Sequence, residues 1–358
     1  MKRMMHMADV GFLQIKRLLE TGTRLICFGT GKIFAKFMEH LPRMIDCPID
    51  CAIDNDDSKW GREISFPTGI CEIYPPERLK EIDDSYILII TCADVESIRQ
   101  QLQSMKLAVE VYSYAEFMEC YYVWRAREVK LPTSFRQSSR PLIPKTIHYC
   151  WFGKAPLPDQ YKEWMKSWKK FCPDYEIVEW NENNYDVHKN QYISGAYEAK
   201  KWAFVSDYAR LDIIYEHGGI YLDTDVELVK NLDELLCAKG FMAFELNHWV
   251  NTGLGFGAIE HLPVIKEMRD VYHDVKFVDF ANRRDFAAKY QAGLVKYCTD
   301  YQTGILEKHG LERDSFKFQQ VADLQIYPVP VLCGLVGSQL VFGDHTYSIH
   351  HYAASWIE

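Results

Sequence analysis

At 358 residues the chain exceeds one ordinary domain, about 100–200 residues, and suits two. Hydrophobic residues at 48% and charged residues at 25% exclude global disorder, and a net charge of −9 disfavours a phosphate backbone, so no nucleic-acid partner is expected. Eleven cysteines, odd in number and without a Cys-x-x-Cys, fit free thiols in a reducing compartment better than a disulfide scaffold.

Met1 to Asp9 carries Lys2, Arg3 and four methionines but no long apolar run or small-residue cleavage site, so it does not read as a secretory signal. No stretch of about 18 apolar residues follows anywhere, which argues against a membrane-spanning helix. A cytoplasmic protein is expected, with peripheral attachment to a membrane face left open.

Residues 24–112 alternate apolar runs with amphipathic stretches. Strands are expected at Arg24–Gly29, Ile49–Ile53, Tyr86–Cys92 and Val109–Tyr112, and helices at Lys32–Leu41, Pro76–Ile82 and Val95–Met105. That is the rhythm of a small parallel sheet. A helix over Tyr114–Lys130 leads into a Pro- and Ser-containing stretch at Leu131–Lys145. The domains expected are a Rossmann-like α/β unit at 1–120, a helix and linker at 121–140, and a second α/β unit at 141–358.

The second unit opens with a strand at Lys145–Trp151, a helix at Asp159–Phe171 and a strand at Tyr175–Trp180. A long helix over Ala203–His217 stops at Gly218 and Gly219, since glycine accepts the left-handed conformation at a helix end. Ile220–Leu222, Phe241–Leu246 and Thr252–Ala258 are expected as strands, and Leu262–His273 and Ala292–His309 as helices.

The chemistry concentrates between Ser206 and Asp225. Asp223 and Asp225 are two apart, so on a regular strand they would share a face. Two close carboxylates are costly to ionise together unless a cation sits between them. Mn2+ or Mg2+ is the natural partner, because these ions take one or two carboxylates and fill their remaining positions with water and substrate phosphates. A diphosphate leaving group supplies such oxygens. Asp-x-Asp alone is a weak motif. Asp207 and Arg210, three apart on the preceding helix, are either a surface ion pair of little worth or groups that bind sugar hydroxyls and phosphate.

Ser206-Asp207-Tyr208-Ala209-Arg210, followed by Gly218-Gly219-Ile220-Tyr221-Leu222-Asp223-Thr224-Asp225, resembles the DXD sugar-binding glycosyltransferases of family 32. These include capsular polysaccharide enzymes and are related here to the large clostridial glucosylating toxins. Ile143–Gly153 is similar to the family's opening strand, Trp164, Trp168 and Pro173 to its first helix and turn, and Ser348–Trp356 to its closing segment. The resemblance covers about Pro141 to the C-terminus.

It implies a GT-A-type α/β fold with a nucleotide-sugar donor, a UDP-sugar first, at the strand ends, and transfer with retention to a saccharide or lipid-linked acceptor. Trp151 is then the candidate for stacking on the base, with a core tryptophan as the alternative, and Asn183 a candidate ribose or base contact. Asp207, Arg210, Asp223, Asp225 and Trp356 are the candidate catalytic residues; Tyr221, Asn251 and Ser355 join them in holding the donor. Asp223, Asp225 and His350 are the candidate metal ligands; the resemblance favours His350 over His351, and because neighbours on an extended segment face opposite ways only one of the two should ligate. Family members often carry Gly-Pro near Thr299–Thr303, where this chain has Asp300-Tyr301-Gln302.

Two features suggest other readings. Gly29-Thr30-Gly31 follows a strand and opens a helix, with Asp54 about 20 residues on, as in dinucleotide-binding units; Phe34 stands where the third glycine belongs. Nucleotide binding and a purely architectural role both remain open for that unit. The rival functions are therefore an NAD-dependent oxidoreductase or epimerase, which leaves Asp207 to Asp225 unexplained, and a non-catalytic nucleotide-sugar-binding protein. A glycoside hydrolase would place its carboxylates across a bond, about 5–10 Å apart, with no metal. Basic clusters at Arg125–Lys145 and at Lys162, Lys166, Lys169 and Lys170 suit either an anionic membrane or a solvated surface.

Overall fold

The computed structural model describes residues 11–66, 69–107, 109–132, 135–336, 339–341 and 343–353. The chain divides into two compact units, Met1–Arg125 and Ala126–Glu358. The fold class is α/β in both.

The first unit runs α1 (Phe12–Glu20), β1 (Arg24–Phe28), α2 (Lys32–Met44), β2 (Ile49–Ile53), β3 (Glu63–Phe66), β4 (Gly69–Tyr74), a 3-10 segment at Pro76–Glu81, β5 (Tyr86–Ile90), α3 (Val95–Met105), β6 (Glu110–Ser113) and α4 (Tyr114–Arg127). Its sheet has the order β3-β4-β2-β1-β5-β6, parallel except for the β3–β4 hairpin. Alternation along β1 sends Leu25 and Cys27 to a core shared with Phe12, Phe37 and Phe117, and Ile26 and Phe28 to one shared with Leu79, Ile98 and Leu102. Both faces are covered, as a parallel sheet requires.

The second unit runs β7 (Thr146–Cys150), α5 (Asp159–Phe171), β8 (Glu176–Trp180), α6 (Gln191–Glu198), α7 (Trp202–His217), β9 (Gly219–Tyr221), β10 (Val226–Leu228), β11 (Gly240–Ala243), β12 (Phe256–Ala258), α8 (Pro263–Asp270), α9 (Arg283–Gln291), α10 (Cys298–Lys308), β13 (Gln319–Val321), β14 (Leu324–Tyr327), α11 (Val329–Leu332), the short pair β15 (Leu335–Val336) and β16 (Gln339–Leu340), and β17 (Ser348–His350). The main sheet has the order β13-β14-β11-β12-β9-β7-β8, with β12 antiparallel to both its neighbours and β9, β7 and β8 mutually parallel. This mixed sheet leaves the Asp-x-Asp just beyond a central strand. A separate ribbon pairs β10 with β17 and sets Val226 opposite His350.

Residues 135–143 are bonded into this unit rather than spanning freely. Gln137 and Ser138 donate their amides to the Cys237 carbonyl at 3.0 Å each, and Leu142 donates to that of Leu236 at 2.8 Å. Every residue of α7 from Phe204 to Ile214 is buried, so this helix lies in the core rather than on its surface. It ends on Gly218 and Gly219, both at positive φ, 61° and 94°. A Cβ at Gly219 would fall 2.8 Å from Nε2 of His148 on β7. Only glycine fits this turn into β9.

The structure adds elements that the sequence did not lead us to expect, among them α6, β10, β13 and β14, and departs from expectation in other places as well. Asp223 and Asp225 follow β9 on a turn rather than lying on a strand, because β9 ends at Tyr221. Thr252–Ala258 is a 3-10 turn at Thr252–Leu254, a break at Gly255 with φ 115°, and only then β12. Ala292–His309 is not one helix: Gly293, with φ 72°, separates α9 from α10. The β3–β4 hairpin stands where no strand was expected.

Candidate active site

The parallel strands β7, β8 and β9 end on the same edge, so the residues just beyond them, Trp151, Asn183 and Asp223, meet at one end of the sheet. Trp151 is half-buried, its indole Nε1 donating to the Ala155 carbonyl at 2.6 Å and its ring edge-on to Tyr161. Asn183 lies on an exposed turn, its amide held by Asn181 Oδ1 at 2.9 Å.

At the centre is a buried charge cluster. Arg210, 4% exposed, places a guanidinium nitrogen 3.0 Å from Asp207 and 3.6 Å from Asp223. Its Nε donates to the Ser206 carbonyl at 3.0 Å, and the guanidinium packs on the Tyr221 ring at 5.0 Å. Tyr221 in turn donates its hydroxyl to Asp223 Oδ1 at 2.9 Å. This burial separates the pair from an ordinary surface ion pair. Burial pushes the Asp207 carboxyl up to about 6, against the pull of Arg210 and with the repulsion of Asp223. Burial also raises Asp223, opposed by Arg210 and reinforced by Asp225.

Asp225 completes a second contact set through the β10–β17 ribbon. Its Oδ1 lies 3.4 Å from His350 Nε2, and its Oδ2 accepts from the Ala353 amide at 2.9 Å. The Tyr352 amide donates to His350 Nδ1 at 3.2 Å, which places the proton of a neutral ring on Nε2; ligation by Nε2 would shift that proton to Nδ1 and require the Tyr352 contact to give way. His351 points elsewhere: it contacts Glu227 at 3.0 Å and stacks on Trp164 at 4.3 Å with the rings 10° apart.

One ligand atom each of Asp223, Asp225 and His350 lies within 4.8 Å of the others. Two carboxylates and an imidazole form a donor set suited to Mn2+, and less closely to the harder Mg2+. The charge balance fits as well. Asp207 and Asp223 share the Arg210 guanidinium, while Asp225 lies outside its reach beside His350, so carboxylates outnumber the cation that faces them and a divalent ion would offset the excess.

The loop between β11 and β12 closes one side. Asn251 caps the 3-10 turn by accepting from the Gly253 amide at 2.7 Å and donates to Glu245 Oε2 at 3.0 Å. Gly253 stands so close to the cluster that a Cβ there would lie 2.6 Å from Asp223 Oδ2 and 3.4 Å from an Arg210 nitrogen. Sequence reading missed Cys298, whose thiol donates to Asp207 from the start of α10, and the contacts of Thr252 with Gln302. Both link residues far apart in the chain, and no local pattern signals them. Ser355 and Trp356 lie outside the described residues.

In the first unit Asp54 is engaged by the protein itself. It accepts from the Thr30 amide at 2.9 Å, the Thr30 hydroxyl at 2.5 Å, the Asp56 amide at 3.0 Å and Lys59 Nζ at 2.9 Å. Although burial opposes it, these donors lower the carboxyl to about 2. Gly29, with φ 102°, makes the turn possible, and Gly31 precedes α2 with open space beside it. The oxygens that a ribose would need are thus committed to the turn. Several basic-cluster side chains are paired too: Lys162 with Asp159, Lys166 with Glu163, Arg136 with Glu234, and Lys145 with Asp174 and Asp233. No helix among the described residues is long and apolar enough to cross a membrane.

Residues 158–242 match the family model described as a glycosyltransferase sugar-binding region containing a DXD motif. The chain is similar to inositol phosphoceramide mannosyltransferase 3 of Schizosaccharomyces pombe, 35% identical over 26% of this chain and 27% of that protein. It is also similar to the mannosyl phosphorylinositol ceramide synthase SUR1 of Saccharomyces cerevisiae, 26% identical over 38% of this chain and 36% of that protein. These matches therefore span only about a quarter to a third of the curated relatives. Among solved structures, the PaToxG glycosyltransferase aligns over 60% of this chain and 80% of its own at 17% identity and a TM-score of 0.33. The match to the DXD-containing sugar-binding region of glycosyltransferases thus rests on residues 158–242, the stretch that holds Asp207, Arg210, Asp223 and Asp225.

Proposed function

We propose that the second unit is a metal-dependent glycosyltransferase that moves a hexose or N-acetylhexosamine from a nucleotide-sugar donor, a UDP-sugar first, to a saccharide or lipid-linked acceptor. The observation that carries the reading is the cluster in which Asp207 and Asp223 share the buried Arg210 guanidinium while Asp223, Asp225 and His350 converge beside it. Asp223, Asp225 and His350 would hold Mn2+ or Mg2+, which when bound offsets charge on the departing diphosphate. Asp207 accepts from donor-sugar hydroxyls. Arg210, fixed by Ser206 and Tyr221, donates to sugar or phosphate oxygens. Trp151 stacks on the base, Asn183 contacts the ribose or base, and Asn251 lines the sugar side. Ser355 and Trp356 donate to the diphosphate.

Retention of anomeric configuration, and a place in bacterial capsular or other surface-polysaccharide synthesis at the cytoplasmic membrane face, follow from the family resemblance. The mannosyl relatives add GDP-mannose to the donors worth testing. Asp54's commitment to its own turn supports an architectural role for the first unit over an NAD-dependent oxidoreductase. The test is hydrolysis of UDP-hexoses and GDP-mannose with Mn2+. Asp225→Asn is expected to abolish turnover, and a variant as active as the natural protein would refute the assignment.

A further inference from the structure

One polar arrangement in the second unit lies outside the charge cluster and has no part in the roles given above. Thr252, Gln302 and Thr303 are each 0% exposed. Gln302, on α10, accepts from the Thr252 amide at 3.3 Å through Oε1 and donates from Nε2 to the Thr252 hydroxyl at 2.9 Å. The amide N–H of Thr252 can only donate, which fixes which way the Gln302 side chain is turned. The next residue, Thr303, accepts from the Val250 amide at 2.9 Å. One turn of α10 therefore grips the chain on both sides of Asn251.

Burial of this kind is a poor route to stability alone. An apolar helix face against an apolar loop packs as well and leaves no polar group at risk. Its consequence is placement. With Val250 and Thr252 held, Asn251 reaches Gly253 and Glu245, and Gly253 is pressed against Asp223 and Arg210. Sheet order says which part of a donor this arch faces. β12, which the arch enters, lies on one side of β9, while β7 and β8, which carry Trp151 and Asn183 at their ends, lie on the other. The nucleotide side and the arch thus flank Asp223 from opposite directions.

We infer that Thr252, Gln302 and Thr303 are positioning residues that set the distance of the Asn251–Gly253 arch from Asp223 and Arg210, and thereby discriminate a donor's sugar from its bare nucleotide. The inference rests on the glycosyltransferase reading and deepens it. None of the three need touch the donor. Their loss moves the arch and weakens the sugar contacts, leaving base and diphosphate contacts in place.

The test compares calorimetric affinities for UDP with those for UDP-glucose, UDP-N-acetylglucosamine and, alongside GDP, GDP-mannose, all with Mn2+. Thr303→Val and Gln302→Met are expected to keep nucleotide diphosphate affinity within about twofold and to lose about tenfold for the preferred nucleotide sugar, as one misplaced polar contact does. Thr303→Ser, which keeps the acceptor, is expected to restore it. If either apolar variant fails to fold, the other and Thr252→Ser, which keeps the hydroxyl and binds as the natural protein does, carry the same comparison. Equal loss for nucleotide and nucleotide sugar, or no loss for either, overturns the inference while the glycosyltransferase reading stands. A natural protein that binds neither nucleotide nor nucleotide sugar overturns both.

Discussion

Gly253→Ala is the smallest change that reaches the charge cluster from outside it. The added methyl would meet Asp223 Oδ2 at 2.6 Å and Asn251 Oδ1 at 3.0 Å, where ordinary contact begins at 3.4 Å. Something must therefore yield by about 0.8 Å. The loop cannot yield freely, because Gln302 and Thr303 hold it. Asp223 is tied to the Tyr221 hydroxyl and to Arg210. Gly253 does not sit at positive φ, so the cost is steric: about 1–3 kcal/mol of stability from overpacking. Displacing a reacting group by close to 1 Å lowers turnover by roughly 100-fold. Thermal unfolding and Mn2+-dependent hydrolysis of the preferred donor measure the two effects. Gly304→Ala is the control, since its methyl would meet nothing within 4 Å on α10, and it should gain up to about 1 kcal/mol with turnover unchanged. A Gly253→Ala protein with natural turnover would refute the close approach of the arch to Asp223.

His148 accepts from Trp180 Nε1 at 3.0 Å and donates to the Gly218 carbonyl at 3.0 Å, a pattern that only the neutral ring satisfies. Burial, aided by His217 and opposed by the Gly218 contact, pushes it down to about 4 from the usual 6.5. The unfolded chain takes up the proton first, so stability should fall by about 3 kcal/mol as pH drops from about 6.5 to about 4. His148→Gln should flatten that slope in denaturant titrations, and an unchanged slope would refute the assignment. Asp54→Ala should cost about 1–2 kcal/mol at neutral pH, allowing for solvent screening, and the difference should shrink as pH falls from about 3.8 toward about 2. Equal stability at neutral pH would mean that the Thr30 and Lys59 bonds contribute nothing. Arg210→Met leaves buried Asp207 and half-buried Asp223 without their cation and should cost about 3 kcal/mol, more than Asp207→Asn; the reverse order would contradict the burial of the Asp207–Arg210 pair.

Elements that carry their own boundary signals were legible in the sequence. α3 begins where Asp94 caps it and ends on Lys106 in the left-handed conformation, and α5 begins directly after Pro158; both have the ranges expected. β3 alternates exposed Glu63 and Ser65 with half-buried Ile64 and Phe66, but over four residues such a pattern is too short to betray a strand. The break between α9 and α10 was missed because Gly293 looks like a tolerated helical glycine until its positive φ is known. The candidate site divides in the same way. Asp207, Arg210, Asp223 and Asp225 stand close enough in the chain to form a readable motif. The pairing of Val226 with His350 and the Gln302–Thr252 bond cross long stretches of chain and depend on tertiary packing. His350 and His351 could be told apart only by the ribbon register, which turns one toward Asp225 and the other toward Trp164.

The most direct test of a metal-linked donor site is calorimetric titration of a panel of UDP- and GDP-sugars, with Mn2+ and with chelator, into the natural protein and Asp225→Asn. At least one nucleotide sugar should bind the natural protein only when Mn2+ is present, and the same donor should fail to bind the variant. Failure of every nucleotide sugar to bind with Mn2+ present, or equal binding by the variant, would contradict the site at Asp223, Asp225 and His350.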